Sequence, residues 1–508
     1  MYAQTFGSTT LGINGVVITV EVDIANGIPG LDIVGLPDAA VRESRERVRA
    51  AIKNAGFEFP ARRITVNLAP ADLKKDGSGL DLPIAVGILA ASGQLDIEAC
   101  KQYAFIGELS LEGRLRGIAG LLAMAIQCRE EGLCNLFVAP ENAAEALLAG
   151  GMTVYAAETL GQVVAHIRGE QRLSPAAKGP ATEPAPIAGE DFADVQGQAA
   201  AKRALEIAAA GGHNILMVGP PGSGKTMLAR RIPSILPTMS DQEALEVTKI
   251  YSVAGLMNGN GGLIKVRPFR NPHHTVSPAG MIGGGTIPRP GEVTLSHHGV
   301  LFLDELPEFP RQVLEVLRQP LEDGQVTISR VNASLAYPAK FILVGAMNPC
   351  PCGFYNDKTR ECVCSPADIR RYTKRISGPL LDRIDIYIHV PRLAYSEVTG
   401  QQPAETSASI RRRVEAARVL QRARLKKFNL FCNAQMGHKH LRLTCPLTRE
   451  ADVLLQRAFE KMNLSARGYD RIVKVARTIA DLAGSEVITA EHVGEAILLR
   501  NSVAERQI

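Results

Sequence analysis

The 508-residue sequence has no stretch approaching the roughly 18 uninterrupted apolar residues that a membrane-spanning helix requires. Its first residues, Met1-Tyr2-Ala3-Gln4-Thr5, carry neither a basic segment nor an apolar run, so no secretion signal is read and a cytoplasmic protein without a membrane partner is expected. Strong charge of one sign is also missing. The 57 Lys and Arg against 52 Asp and Glu leave a formal net charge of +5, too mild to indicate nucleic acid unless it is concentrated somewhere. No segment resembles a base-reading recognition helix, so sequence-specific DNA recognition is not expected. Nine cysteines in a cytoplasmic chain are not expected to form structural disulfides, although four of them cluster. What the chain does have is length, too much for one core and enough for about three or four domains.

The most informative stretch is Gly219-Pro220-Pro221-Gly222-Ser223-Gly224-Lys225-Thr226, which follows the apolar run Asn214-Ile215-Leu216-Met217-Val218 and leads into Met227-Leu228-Ala229-Arg230. A buried strand that stops at a glycine-rich turn and restarts as a helix aims several backbone N–H groups and a helix dipole at one point, which suits a polyphosphate. Lys225 is placed to reach the β- and γ-phosphates of ATP, and Thr226 to put its hydroxyl on Mg²⁺. A second apolar strand, Gly299-Val300-Leu301-Phe302-Leu303, ends in Asp304-Glu305. Asp304 fits the Mg²⁺ shell and Glu305 the attacking water, since phosphoryl transfer asks the protein mainly for positioning and charge neutralisation. A third strand, Phe341 to Met347, ends at Asn348, either a γ-phosphate sensor at the ligand-binding edge of an open α/β sheet or a surface cap.

Residues 1–170 read as a separate α/β domain. Strand-like runs Gly15 to Val22 and Ile64 to Leu68 flank a helix from about Asp38 to Gly56, whose Ala40, Val41, Val48, Ala51 and Ile52 share a face and whose charged residues form a solvated one. The segments Lys75 to Ala85 and Gly107 to Leu115 resemble the protease domain of Lon and the related domain of RadA. Lon-type peptidases use a Ser-Lys dyad, but the resemblance puts Gly79 and Leu122 at those positions. Ser78 lies one place early, without a base to take its proton. The domain is therefore expected to keep the fold, serving as a platform without peptidase chemistry. A Pro/Ala-rich linker, 171–188, follows.

The order Lys225, Asp304-Glu305, Asn348, then Gly378-Pro379-Leu380-Leu381-Asp382-Arg383-Ile384-Asp385 and Leu464-Ser465-Ala466-Arg467-Gly468, resembles the AAA+ ATPases and within them the magnesium-chelatase-like group. With the Lon-like domain, the text Arg267-Pro268-Phe269-Arg270-Asn271-Pro272-His273-His274-Thr275 and the run Asn348-Pro349-Cys350-Pro351-Cys352-Gly353, the whole chain resembles the YifB/ComM family. That resemblance implies an α/β fold: a Lon-protease-like (ribosomal S5 domain 2-like) domain, a P-loop AAA+ core over 189–395 and a C-terminal helical lid over 396–508. It implies Arg383 as an arginine finger and Arg467 as the sensor-2 arginine. Val195 and Gln196 become adenine contacts, and Gly219 to Thr226 with Met227 the nucleotide cradle. It also implies ATP and Mg²⁺ as cofactors, a homo-oligomeric, hexameric ring, DNA as partner, and branch migration of recombination intermediates in natural transformation. A chelatase-type ATPase that remodels a protein partner is the alternative, opposed by the N-terminal extension and by the cysteine cluster.

Two inserts distinguish this core. The glycine-rich loop Gly280 to Gly291 and the hairpin from Gln325-Val326-Thr327-Ile328-Ser329-Arg330 to Ala336-Tyr337 match pore-facing elements of related helicases, making Arg289, Arg330 and Asn332 candidate DNA contacts unless they are simply solvated. Cys350, Cys352, Cys362 and Cys364 form two C-x-C pairs that suit a closed structural Zn²⁺ site, with free thiols and another redox or metal role left open. The helix carrying Arg411, Arg412, Arg413, Arg418, Arg422, Arg424, Lys426 and Lys427 is either a phosphate-backbone surface or an interface helix. His213, just ahead of the phosphate-loop strand, lies either near the adenine ring or in an ordinary hydrogen bond.

Overall fold

The computed structural model describes residues 1–75, 77–177, 190–257, 262–285, 289–330, 333–357, 360–393 and 404–500, leaving aside the side chains at 39, 329, 330, 333 and 334. The N-terminal part is built on a seven-stranded sheet. Its strands run in the order Gly30–Val34, Arg63–Ala69, Asn14–Ala25, Tyr2–Leu11, Ala104–Phe105, Asn135–Val138, Thr153–Ala156. The first two strands in sequence form a long hairpin whose register runs from Tyr2 opposite Asp23 to Leu11 opposite Asn14. Its second strand alternates as a half-buried strand must: Ile18, Val20, Val22 and Ile24 face the core while the residues between them do not. The helix Ala39–Asn54 starts at Asp38, whose carboxylate accepts the Val41 N–H, and buries Val41, Val48, Ala51 and Ile52 against the sheet.

The second sheet has five strands in the order Phe269–Arg270, Val300–Leu303, Ile342–Met347, Ile215–Val218, Ile386–His389, all parallel. Its short central strands read as unbroken apolar runs because helices cover both faces. One face packs on Ala199–Gly211 and Lys225–Ile235, and the C-terminal helices Ser407–Leu425 and Ala466–Leu482 close over the same apolar core. The other face packs on Val313, Leu314 and Leu317 and on the insert residues Met281, Val326, Ile328 and Tyr337. The two inserts touch each other, since a Cβ on Gly283 would lie 3.2 Å from Ile328 Cδ1.

The lid helix Ala466–Leu482 begins where the Ser465 hydroxyl accepts the Gly468 N–H and caps it. The N-terminal domain docks on the core through Leu121–Glu130 against Asp241–Val253. There Gly120 N–H donates to Ser252 O at 2.9 Å, and the Lys249 amine donates to Asn14 at 2.7 Å. Among the described residues no helix is long and apolar enough to cross a membrane.

Candidate nucleotide site

Because the five strands are parallel, the turns after Val218, Leu303 and Met347 lie together at their carboxyl edge. The phosphate loop leaves the first of these. Gly222 and Gly224 take φ of +75° and +89°, conformations that L side chains rarely adopt, and Gly224 caps the helix Lys225–Ile235. The Lys225 amine is buried and donates to Gly219 O at 2.7 Å, Pro220 O at 3.0 Å and Asn348 Oδ1 at 3.2 Å. Burial lowers its pKa to about 8, with Asp304 and Glu305 pulling the other way. Thr226 Oγ1 donates to Asp304 Oδ2 at 2.7 Å. Glu305 sits at φ +51°, a strained conformation for a non-glycine residue, with its N–H on Asp304 Oδ1 and its side chain exposed. Lys225, Thr226, Asp304, Glu305 and Asn348 thus form one group. The donor set fits a nucleoside triphosphate with Mg²⁺: a buried cation whose acceptors are all uncharged, beside a paired hydroxyl and carboxylate.

His274 is a member of this group that the sequence reading quoted without a role. Its Nδ1 lies 3.9 Å from Glu305 Oε2, and its ring packs on His273 with centroids 4.0 Å apart. Gln198 is another. Its amide donates to Ser223 O at 3.3 Å and Pro391 O at 2.7 Å, tying the segment before the helix Ala199–Gly211 to the phosphate loop. Val195 belongs to the core and is fully buried, so only its backbone remains to meet a ring, while Gln196 is half-buried. His213 is far from any such ring. It is buried at the amino edge of the sheet, with Nδ1 3.1 Å from Asp385 Oδ2 and Nε2 2.8 Å from Thr478 Oγ1, and it joins the core to the lid helix.

Arg383 and Arg467 are not with Lys225. They line a cavity of about 700 Å³ at the amino edge, beside Asn214, Gly299 and Ile342 where the strands begin. Four to six residues of strand separate the two edges, roughly 13–20 Å. Arg383 donates to Pro379 O at 2.7 Å and pairs with Glu322, while its Nε is buried without a partner. Arg467 is exposed in the first turn of its helix.

The cysteines Cys350, Cys352, Cys362 and Cys364 place their sulfurs within 4.8 Å of one another. Burial pushes the Cys352 thiol up, but the backbone N–H groups of Phe354 and Val363 and the neighbouring thiols outweigh this and hold it at about 6. Burial pushes the isolated Cys128 up to about 12. Glu246, His297 and His298 also converge, with Glu246 Oε2 3.2 Å from His297 Nε2 and 2.9 Å from His298 Nε2. The Lys340 N–H donates to His297 Nδ1 at 3.0 Å, which leaves the ring proton on Nε2 facing Glu246. That nitrogen has no lone pair for a metal, so the trio is a hydrogen-bonded latch.

Of the DNA candidates, Arg289 is exposed in the short strand Arg289–Pro290, paired with Gly283–Gly284. Arg330 ends the strand Gln325–Arg330, and Asn332 lies outside the described residues. On the basic helix, Arg413 pairs with Glu206 and Arg418 donates to Ala209 O, holding the lid to the helix Ala199–Gly211, while Arg413 also pairs with Glu405 and Arg424 with Asp481 within the lid region. Arg411, Arg412, Arg422, Lys426 and Lys427 are exposed. In the N-terminal domain Leu122 is fully buried, a Cβ on Gly79 would come 2.8 Å from Ile118 Cδ1, and the Ser78 hydroxyl donates to Glu108.

Three family profiles match. "Magnesium chelatase, subunit ChlI" covers residues 191–398, "Subunit ChlI of Mg-chelatase" 20–142 and "Magnesium chelatase, subunit ChlI C-terminal" 404–500. The N-terminal extension therefore does not by itself oppose a chelatase reading. The chain is 46% identical over 507 residues to competence protein ComM of Haemophilus influenzae, covering 99% of this chain and 98% of that protein. It is 45% identical over 497 residues to YifB of Salmonella typhimurium (96% and 95%) and 45% over 492 residues to YifB of Escherichia coli (96% and 95%). The 38 kDa magnesium-chelatase subunit of Rhodobacter capsulatus matches at 27% over 195 residues, 35% of this chain. With a phosphate loop, an acidic strand end and Asn348 on one sheet edge, and full-length likeness of this order, the chain belongs to the YifB/ComM branch of the magnesium-chelatase-like AAA+ family.

Proposed function

We propose that this protein is an ATP-hydrolysing ring, a hexamer, that moves DNA through its central opening in the cytoplasm, and that it drives branch migration of recombination intermediates during uptake of DNA in competence. The observation that carries this reading is the division of the site: Lys225, Asp304 and Asn348 stand at one edge of the sheet, Arg383 and Arg467 at the other. A single chain cannot bring both arginines to its own phosphates, whereas head-to-tail neighbours in a ring can. Lys225 and Asn348 hold the γ-phosphate, and Arg383 and Arg467 of the adjacent subunit neutralise the charge that develops on it. Glu305 orients the water in line with the phosphorus and takes its proton, with His274 close enough to bias its position. Thr226 and Asp304 would hold Mg²⁺, which supplies charge neutralisation at the phosphate oxygens. Arg289, with Arg330 and Asn332, contacts the DNA backbone, each charge being repeated around the ring. The cysteine cluster takes structural Zn²⁺.

The family profiles favour one other reading, a chelatase-type ATPase acting on a protein partner. Strand exchange on a synthetic four-way junction with ATP separates the two. The DNA motor converts the junction, Glu305→Gln binds ATP and junction but converts nothing, and junction affinity falls by about 10³ or more between about 50 and about 200 mM salt. ATP turnover without junction conversion, together with a flat salt response, overturns the DNA reading in favour of the partner-remodelling one.

A further inference from the structure

The four-cysteine cluster does not stand apart from the nucleotide site. Asn348, whose side-chain oxygen accepts from the Lys225 amine at 3.2 Å, is followed at once by Pro349 and Cys350. Two residues beyond Cys350 the chain turns at Cys352-Gly353. Gly353 has φ +86°, and a Cβ there would lie 2.6 Å from Pro221 Cδ, so the cysteine turn is pressed directly against the phosphate loop. Arg392 reinforces the contact. Its guanidinium donates to Pro221 O at 3.4 Å, lies 3.9 Å from Asp357 and sits over the Phe354 ring at 5.5 Å.

The sulfur geometry suits a thiophilic tetrahedral ion. Cys350–Cys352, Cys350–Cys362 and Cys352–Cys362 sulfurs are 3.3, 3.7 and 3.6 Å apart. A zinc tetrathiolate with Zn–S bonds near 2.3 Å has sulfur–sulfur edges of about 3.8 Å. The Cys352 N–H donates to Cys364 Sγ at 3.4 Å, an outer hydrogen bond of the kind that orients metal thiolates. All four cysteines are free of disulfides. A zinc ion would hold all four sulfurs as thiolates and tie the two C-x-C pairs to one point.

We propose that Zn²⁺ bound by Cys350, Cys352, Cys362 and Cys364 is a positioning element of the ATPase: it fixes Asn348 against Lys225 and the cysteine turn against Pro221, so that ATP turnover depends on the loaded centre. The inference rests on the reading of the core as an ATPase and extends it to a second, catalytically silent metal. Zinc here touches neither phosphate nor water. Its effect travels through two residues of backbone to the sensor and through Gly353 to the wall of the phosphate loop.

The test uses the full chain. Atomic emission should find one zinc per chain, and exchange for Co²⁺ should give the thiolate-to-metal charge-transfer bands of a tetrahedral tetrathiolate site. Cys362→Ser should lose both signals while keeping its helical circular dichroism. Turnover should fall by about 10–100-fold, the range seen when outer groups of a site are disturbed, with the affinity for a fluorescent ATP analogue changing much less. Asn348→Ala should cause a similar loss, and in the doubly substituted chain the two losses should not multiply, because one acts through the other. Cys364→Ser serves in the same way should Cys362→Ser fail to fold. Absence of zinc from a chain with intact cysteines overturns the proposal, as does unchanged turnover in the zinc-free variant or multiplicative losses in the double variant. A zinc-loaded wild-type chain that binds the analogue but never hydrolyses ATP would instead remove the ATPase reading, leaving metal content and cobalt spectrum to stand on their own.

Discussion

Asp81 in the N-terminal domain and Lys225 in the core are buried charges near the end of a glycine-containing turn, and they are satisfied in opposite ways. In the N-terminal domain Asp81 is fully buried. Burial pushes its carboxyl up, yet Arg47 Nε at 2.8 Å, the Ser44 hydroxyl and the Leu109 N–H at 3.2 Å satisfy it from within the domain. In the core the Lys225 amine is buried against two carbonyls, a hydroxyl and an amide oxygen, none of them charged. A buried charge already neutralised by its own domain holds a fold together; one given only dipoles is complementary to an anion from outside. The same contrast runs through the neighbours. Ser78 is bonded to Glu108 and Leu122 is buried, while Glu305 is exposed in a strained conformation beside His274. Chemistry persists where hydrogen-bonding capacity is left open, and structure where it is used up.

The largest effect that could break this contrast is at Arg383. If the core site is open because a neighbour completes it, Arg383→Ala should lower ATP turnover by about 10³-fold or more with nucleotide affinity retained. Mixing Arg383→Ala with Lys225→Ala chains should then restore part of the activity. The first supplies an intact phosphate loop and the second an intact arginine, and the two meet across one interface. Steady-state phosphate release measured across mixing ratios checks this. Turnover that survives Arg383→Ala would mean that the core site is closed within one chain.

Next in size is the buried pair of the N-terminal domain. Asp81→Ala leaves Arg47 without its carboxylate and should destabilise that domain by about 3 kcal/mol, the low end for half of a buried pair, because the Arg47 side chain is 22% exposed. Replacing both at once, Arg47→Met with Asp81→Leu, should recover much of that loss, since no uncompensated charge remains. Urea unfolding followed by circular dichroism gives the difference. ATP turnover measured where the domain remains folded should not change. A fall there would give the N-terminal domain a part in the ATPase cycle, through its contacts with Asp241–Val253.

The contrast was only partly legible in the sequence. The phosphate loop, the acidic strand end and Asn348 could be read because each is a local pattern of apolar run, turn and polar residue, and parallel strands then bring them to one edge. Pairings made across the fold were not legible. Arg47 with Asp81, Arg424 with Asp481 and Gln198 with Pro391 join residues whose own neighbourhoods give no sign of the partner. His213 shows why proximity in sequence misleads. It precedes the phosphate-loop strand by two residues, but the length of that strand carries its ring to the wrong edge for a nucleotide. The same strand length puts Arg383 and Arg467 beyond reach of their own phosphate loop, which only the sheet direction reveals.

The smallest effect sharpens the contrast at Lys225 itself. Burial lowers its pKa to about 8, below the unfolded value of about 10.4. Between these values the unfolded chain binds more protons than the folded one, so this group makes the free protein more stable as pH rises through that window and least favoured below about 8. ATP affinity must move the other way, because the phosphates need the charged amine that the free protein gives up. Above pH 8 the affinity for a non-hydrolysable ATP analogue should weaken by up to about tenfold per pH unit, the slope of one proton taken up on binding. Lys225→Arg, which keeps its charge throughout, should bind more weakly at pH 7 yet show no such slope. Isothermal titration at several pH values, in buffers of different ionisation enthalpy, reports both the affinity and the proton uptake. A flat profile with no proton uptake would mean that the carbonyls and Asn348 already keep the amine charged, and the core would then satisfy its buried charge internally, as the N-terminal domain does.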